Sequence, residues 1–199
     1  MVSTEWGGQH SPDALSSGPV VYVASLQHFK GHADLLTAID ILRDEGLRPH
    51  VRLIGDGPHE AEIRRDLTKR DLQSQVALEG WLPREEVEEA VLSATCVVLA
   101  SRTEGMPRSV LEALSLGTPT YASAVGGVSE VLPADQSFAP GDCQALADLL
   151  RWHLTDPQRR ASVAAASEEA GRAASRRRAR SREQWQEALD VVLHAPPVD

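Results

Sequence analysis

Cysteine, aromatic residues and long apolar runs are all scarce in this chain, and each scarcity narrows what the protein can be. Two cysteines, Cys96 and Cys143, stand in 199 residues. One opens an apolar run and the other lies in a loop-like stretch, so neither a disulfide framework nor a zinc site is indicated. Aromatics make up 4% of the chain, so the core is expected to be aliphatic. No apolar run approaches the ~18 residues of a membrane span, and no signal peptide opens the chain. The expectation is a soluble cytoplasmic protein. Excess positive charge is missing as well: the formal net charge is −9, which argues against generic nucleic-acid binding by the whole chain. Several catalytic signatures are absent too. There is no HExxH and no clustered His/Cys spacing. His28 and His32 are separated by a loop and Gly31, so a solvated pair is the simpler reading and no metal site is expected. There is no G-x-S-x-G elbow and no G-x-x-x-x-G-K-[ST] phosphate loop, which disfavours a serine hydrolase and an ordinary NTPase. Nor is there an Asp-x-Asp pair of the kind that metal-bridged diphosphate sites use.

What is present is alternation. Short apolar runs at Val20–Ala24, Val51–Ile54, Val76–Gly80, Cys96–Ala100 and Thr120–Ala122 have strand length and β-branched bias, and Ser137-Phe138 offers a sixth. Helical patterns lie between them. His32 to Glu45 places Leu35, Leu36, Ile39 and Leu42 on one face and ends at Gly46. Further helices are expected at His59–Lys69, at Arg84–Ser93, over Val110 to Leu114 with Gly117 as its stop, and from Asp142 onward. Such alternation predicts an α/β fold: a single Rossmann-like domain with a parallel sheet of about six strands flanked by helices. Residues 1–19, rich in Ser, Gly and Pro, read as a flexible lead or linker, 20–155 as the Rossmann-like domain, and 156–199 as a C-terminal helical extension.

Ligands of such sheets bind beyond the carboxyl ends of the strands, and the informative loops all follow strands. Lys30 beside Gly31 could meet a phosphate or be a solvated surface lysine. Gly55-Asp56-Gly57 is half of a dinucleotide fingerprint, but Glu60 stands where the third glycine belongs, so a plain tight turn is the simpler reading. Trp81 could pack on a base, though capping the core is the stronger expectation. Gly126-Gly127 either lets backbone approach a ligand or makes a turn. The apolar run ending at Ala100 leads through Glu104, Gly105 and Pro107 into a helix start, where free N–H groups form an anion site. Glu104 and Glu112 flank it, as dipole partners of the helix or as acceptors for sugar hydroxyls.

Together these residues resemble the donor-binding signature of retaining glycosyltransferases of the GT-B fold, group 1 (family 4 type). The matching pieces are Glu104-Gly-Met-Pro, Val110-Leu-Glu112-Ala, Gly117-Thr-Pro and Gly126-Gly-Val-Ser-Glu130, with seven residues between the two glutamates as in that family's E-x7-E motif. Upstream, Lys30-Gly31 is similar to its Lys-Gly loop, Leu53-Ile-Gly-Asp-Gly-Pro58 to its Gly-x-Gly-Pro turn, and Val76 to Leu82 to its base-contacting strand and loop. The resemblance covers about Val20 to Leu150 and implies the C-terminal, donor-binding half of a GT-B fold. By position it implies that Glu112 binds ribose hydroxyls of a nucleotide diphosphate sugar. Glu104, with Lys30 a catalytic residue, would contact the transferred sugar. Backbone N–H groups from Gly105 through Met106, Pro107 (its carbonyl side only), Arg108 and Ser109 to Val110 would line the diphosphate. Lys30 would offset charge on the departing diphosphate, Gly55 and Ser25 would lie beside it, and Leu82 would sit by the base. No metal or other cofactor is implied. Where the family has Gly-Arg before its Lys-Gly loop, this chain has Ala24-Ser25, so one phosphate cation is absent. The implied partners are the nucleotide-sugar donor and an N-terminal GT-B acceptor domain in trans or missing from this chain, without which the domain is expected to be inactive. The alternative is a non-catalytic nucleotide-sugar-binding or partner-interaction module with a degenerate site.

The positive charge that exists is concentrated. Arg159 to Arg182 carries eight Arg and two Glu, so the rest of the chain bears about −15. SRRRARSR at Ser175–Arg182 could make peripheral contact with an anionic membrane face, or be a solvated helix face pairing with the acidic remainder. Trp185, Ala188, Leu189 and Val192 have helical spacing and are expected to pack.

Overall fold

The computed structural model describes residues 17–193. The expected lead over residues 1–16, and the side chains of Trp185, Ala188, Leu189 and Val192, lie outside the described residues.

The strands are β1 (Val20–Val23), β2 (Val51–Ile54), β3 (Val76–Gly80), β4 (Cys96–Leu99), β5 (Thr120–Ser123) and β6 (Ser137–Phe138). The helices are α1 (His32–Asp44), α2 (Glu60–Lys69), α3 (Arg84–Leu92), α4 (Arg108–Ser115), the short α5 (Val128–Val131), α6 (Cys143–Thr155) and α7 (Pro157–Leu193). One six-stranded sheet results, in the order β3-β2-β1-β4-β5-β6, and every neighbouring pair is parallel. The predicted α/β architecture is therefore the observed one, and the ends of its elements move by only a residue or two. The sixth strand is real but two residues long.

The order reverses direction once. β1, β2 and β3 step one way from the centre, and β4, β5 and β6 step the other way. The reversal leaves a crevice between β1 and β4 at their carboxyl ends, the topological switch point of such sheets. The two central strands diverge toward it. β1 is registered to β2 along its whole length, Val20 to Val23, but to β4 only at Val20 and Val21.

Packing follows the pleat. Val20 and Tyr22 enter the larger core with Leu35, Leu36, Ile39 and Leu42 of α1, whereas Val21 enters a smaller core on the opposite side with Ala90, Val91, Ala113 and Leu116. β4 is buried at every position, which is why it reads as an unbroken apolar run. One polar network lies inside. His153 of α6 is fully buried, its Nε2 3.0 Å from Thr95 Oγ1 and its Nδ1 3.1 Å from the Tyr121 hydroxyl. Both imidazole nitrogens thus have partners, as a buried ring requires. α4 is closed by Gly117 (φ +73°), as its sequence predicts. α7 crosses α4 at Gly171, where a Cβ would come within 1.9 Å of the Leu114 carbonyl oxygen. A glycine in the middle of a helix costs about 1 kcal/mol relative to alanine; here it permits the backbones to touch. No helix of the described residues is long and apolar enough to cross a membrane.

Two measurements check this packing. Gly171→Ala forces the α4 and α7 backbones apart and should destabilise the chain by roughly 1–3 kcal/mol in urea unfolding; an unchanged midpoint would contradict the close crossing. The second is pH dependence. Burial first, then Lys30 and His59, lowers His32 from 6.5 to about 4. Burial likewise lowers His153 from 6.5 to about 4, against the opposing Thr95 carbonyl. Between those values the unfolded chain binds more protons than the folded one, so stability is fully present above about pH 6.5 and falls as pH drops toward about 4. Unfolding near pH 5 should show a loss on the order of a few kcal/mol against pH 7, and His153→Gln should flatten part of that slope.

Candidate functional site

Five loops follow strands onto the carboxyl edge, and backbone hydrogen bonds stitch them side by side. Leu26 N–H donates to the Asp56 carbonyl (2.7 Å) and His59 N–H to the Leu26 carbonyl (3.0 Å), tying the β1 and β2 loops. Gly55 N–H donates to Gly80 at the end of β3 (2.7 Å). Arg102 N–H donates to the Phe29 carbonyl (2.7 Å), tying the β4 loop to the β1 loop across the crevice. Gly127 N–H donates to the Gly105 carbonyl (2.9 Å), tying the β5 loop to the β4 loop.

Glycines make these approaches possible. A Cβ at Gly31 would stand 1.9 Å from the Ala100 carbonyl oxygen, and one at Gly126 would stand 1.9 Å from that of Glu104. Both also have positive φ, +69° and +52°. Gly126 and Gly127 make the turn the sequence suggested, with Val128 N–H donating to the Val125 carbonyl across it (3.1 Å), and Gly126 also brings backbone against a neighbouring loop. Gly55 and Gly57 likewise bring backbone against Ala24 and Leu26.

Lys30 and Glu104 meet at the crevice. Lys30 Nζ lies 2.6 Å from Glu104 Oε1, with side-chain exposures of 18% and 9%. The reading of Lys30 as a solvated surface lysine is thereby corrected, because the crevice walls shield it. Ser101, fully buried, donates its hydroxyl to the same Glu104 oxygen (2.7 Å), and Ser123 donates to the Ser101 carbonyl. Glu104 precedes α4 and is oriented by Lys30 and Ser101, so it is not a simple dipole partner of that helix.

The start of α4 carries the expected anion site. Pro107, buried, is its N-cap residue and makes no side-chain cap bond. The first helical hydrogen bond runs from Leu111 N–H to the Pro107 carbonyl (3.1 Å). The N–H groups of Arg108, Ser109 and Val110 precede it and are available to an anion. The Val110 side chain is itself core, so only its backbone belongs to the site. Gly105 and Met106 are exposed in the preceding loop, Met106 at 54%. Arg108 is exposed, and among the described residues its guanidinium has no ion pair. Glu112, the fifth residue of α4, is half-buried and its carboxylate has no hydrogen bond or ion pair among the described residues. Ser25 is exposed just past β1, and Gly55 is half-buried beside Ala24. Leu82 is half-buried against the smaller core. Its neighbour Trp81 is 68% exposed, which overturns the expectation that this ring caps the core: the chain turns after β3 so that Leu82, not Trp81, faces inward.

Four residues of the site escape a sequence reading. Tyr22 sits under the crevice, fully buried, with its hydroxyl bonded to loop backbone. A tyrosine in an otherwise aliphatic buried strand needs a partner for its hydroxyl, and that was the available signal. Ser101 and the Arg102–Asp34 pair (2.8 Å) had none, because α1 and the β4 loop are distant in sequence. Among the described residues no group of three or more His, Cys, Asp or Glu is placed to hold a metal ion.

With this geometry in hand, the chain can be set beside known proteins. A profile of the family described as glycosyl transferases group 1 matches residues 16–170. The 2-deoxystreptamine glucosyltransferase of Streptomyces kanamyceticus is 30% identical over 145 residues, covering 70% of this chain and 37% of that protein. The amylovoran biosynthesis glycosyltransferase AmsK of Erwinia amylovora is 33% identical over 140 residues, covering 66% and 34%. The chain thus spans about a third of the length of the curated relatives it matches. Among solved structures, the sucrose-phosphate synthase of Thermosynechococcus elongatus superposes with a TM-score of 0.77 at 24% identity, over 93% of this chain and 50% of that one. Anabaena HepE, solved with UDP and glucose, gives 0.77 at 23% identity, over 92% and 53%. These likenesses show the GT-B type of α/β domain. Because the family profile matches most of its length, this chain belongs to the group 1 glycosyltransferases.

Proposed function

We propose that this chain is the donor-binding domain of a retaining, family 4 type glycosyltransferase, taking a nucleotide diphosphate sugar and working with an N-terminal acceptor domain carried elsewhere. The observation that supports this most directly is the Lys30–Glu104 pair at the crevice, 2.6 Å apart, beside the free N–H groups that open α4. A cation, an acid and a row of amides at one strand edge suit a ligand that is anionic at one end and hydroxylated at the other. The Anabaena neighbour was solved with UDP and glucose, which carry the two chemistries of such a ligand.

Each residue then has a role. The amides of Arg108, Ser109 and Val110, with exposed Gly105 and Met106 beside them, hold the diphosphate. Glu112, whose carboxylate has no partner among the described residues, accepts from the ribose hydroxyls. Glu104 meets the sugar, and its negative charge steadies the positive charge developing at the anomeric carbon. Leu82 and the turn around it border the base. In transfer, the bond from the anomeric carbon to the diphosphate oxygen breaks and its electron pair stays on that oxygen. The acceptor hydroxyl bonds to the same face of the carbon, and its proton passes to the departing phosphate. Lys30 offsets the charge the diphosphate gains, which in sites of this kind is worth several kcal/mol.

A second reading has one observation in its favour. Ser25 is neutral and exposed at the edge, while Lys30 is already neutralised by Glu104. A site with so little net positive charge suits a module that binds a nucleotide sugar without transferring it. Peripheral membrane contact through α7 is proposed as well, supported by exposed Arg176 and Arg180 within Ser175–Arg182.

Calorimetry with UDP-glucose, ADP-glucose and GDP-mannose tests the donor site. The wild type should bind at least one of them, and Glu112→Ala should weaken that binding about tenfold, the loss of hydrogen bonds to a charged acceptor. Wild-type chain that binds none of them would overturn both readings of the donor site. Turnover with a matched N-terminal domain, read as product with retained anomeric configuration by NMR, separates transferase from binding module. Binding without turnover in that mixture supports the module.

A further inference from the structure

We infer that Tyr22 is a positioning residue for the donor site: its buried hydroxyl bolts the Lys30 turn to the end of β4 and so fixes the backbone point from which the Lys30 ammonium reaches into the site. This rests on the donor-site reading above and adds to it a residue outside every loop that touches the ligand.

The phenol lies where β1 and β4 part. Their ladder is registered at Val20 and Val21 and no further, so the backbone past those positions needs other partners. Tyr22, the next residue of β1, supplies them. Its hydroxyl accepts from Ala100 N–H at 2.9 Å and donates to the Lys30 carbonyl. One oxygen thus satisfies a donor at the end of β4 and an acceptor in the turn that carries Lys30. The turn is also pressed against that strand end: Gly31 lies where a Cβ would come within 1.9 Å of the Ala100 carbonyl. The ring is held from the side by His32, whose centroid is 5.1 Å away. Tyr22 is 0% exposed. Burial first, and the nearby Asp34 and Glu104 carboxylates, push its phenol well above the usual range, Ala100 N–H alone pulling the other way, so the hydroxyl keeps the proton it donates.

The consequence is a division of labour. Glu104 holds the ammonium end of Lys30: its Oε1 lies 2.6 Å from Lys30 Nζ and accepts from the Ser101 hydroxyl at 2.7 Å. A diphosphate that takes the ammonium away from Glu104 removes that hold. The backbone end of the same residue stays bolted through Tyr22, so the cation swings about a fixed point.

Calorimetry with uridine, adenosine and guanosine diphosphates on the full chain tests this, using the nucleotide that binds tightest. Tyr22→Phe removes the bolt and leaves two buried backbone groups unpaired, and should weaken binding about tenfold. In a Lys30→Ala background the same substitution should cost less than about twofold, because the residue it positions is gone. Gly31→Ala, which forces the same turn off Ala100, should reproduce the loss. Tyr121→Phe is the control: it also removes a buried hydroxyl, bonded to His153 in the core, and should lower the unfolding midpoint without changing nucleotide affinity. Tyr22→Phe with wild-type affinity, where Lys30→Ala has lost it, overturns the inference alone. So does a Tyr22→Phe loss that persists undiminished in the Lys30→Ala background, which marks a general structural role. A wild-type chain that binds none of the three diphosphates overturns the donor-site reading and this inference with it.

Discussion

The structure depends on how two strands part. β1 and β4 are neighbours at the centre of the sheet, yet they are registered only at their first residues, because the chain must leave β1 for one side and β4 for the other. Parting opens a crevice, and parted strands leave backbone groups without partners. The Lys30-Gly31 turn fills the gap. It fits only because Gly31 has no side chain to meet the Ala100 carbonyl, and the Tyr22 hydroxyl donates to the Lys30 carbonyl while Arg102 N–H donates to that of Phe29 just before it. The start of α1 is fixed by the same contacts, so the packing of that helix and the place of Lys30 follow from one local solution.

From there the edge is assembled by contact between loops. Each loop is tied to the next through main-chain N–H and carbonyl groups, with glycine at the closest approaches. Main-chain bonding leaves side chains free for a ligand, and it makes the edge stiff where a preorganised site needs stiffness. The charge balance follows the same economy. With no ligand, Lys30 and Glu104 neutralise each other in a shielded crevice, since an unpaired charge there would be costly. Any anion that uses Lys30 must compete with Glu104, while the amides at the start of α4 are uncommitted.

The far side of the molecule is held differently. His153 with Thr95 and Tyr121, and Ser167 with Gln136, are buried polar contacts within the layers that α6 and α7 add. They join α6 to β5 and to the chain leading into β4, and α7 to the chain leading into β6, and they lie apart from the loops that build the site. Disturbing them should alter stability and leave the edge intact.

Most of the architecture was legible in the sequence, for a physical reason. A strand buried on both faces must be apolar throughout, and a helix on one face must repeat its apolar residues every three or four positions, so Cys96–Leu99 and Leu35 to Leu42 announce themselves. Lys30, Glu104 and Glu112 could be singled out as candidates, because ionisable residues near glycines that follow strands are visible without coordinates, and because the glutamates' spacing resembles a family signature. What tertiary structure alone decided were the meetings. That Glu104 rests on Lys30, that the glycines of one loop face the carbonyls of the next, that Trp81 points out while Leu82 points in, and that Tyr22 joins Lys30 to Ala100 depend on strand order and on where β1 and β4 diverge. Sequence spacing encodes periodicity along one element. It does not encode the distance between residues 22, 30 and 100 until the sheet has brought them together.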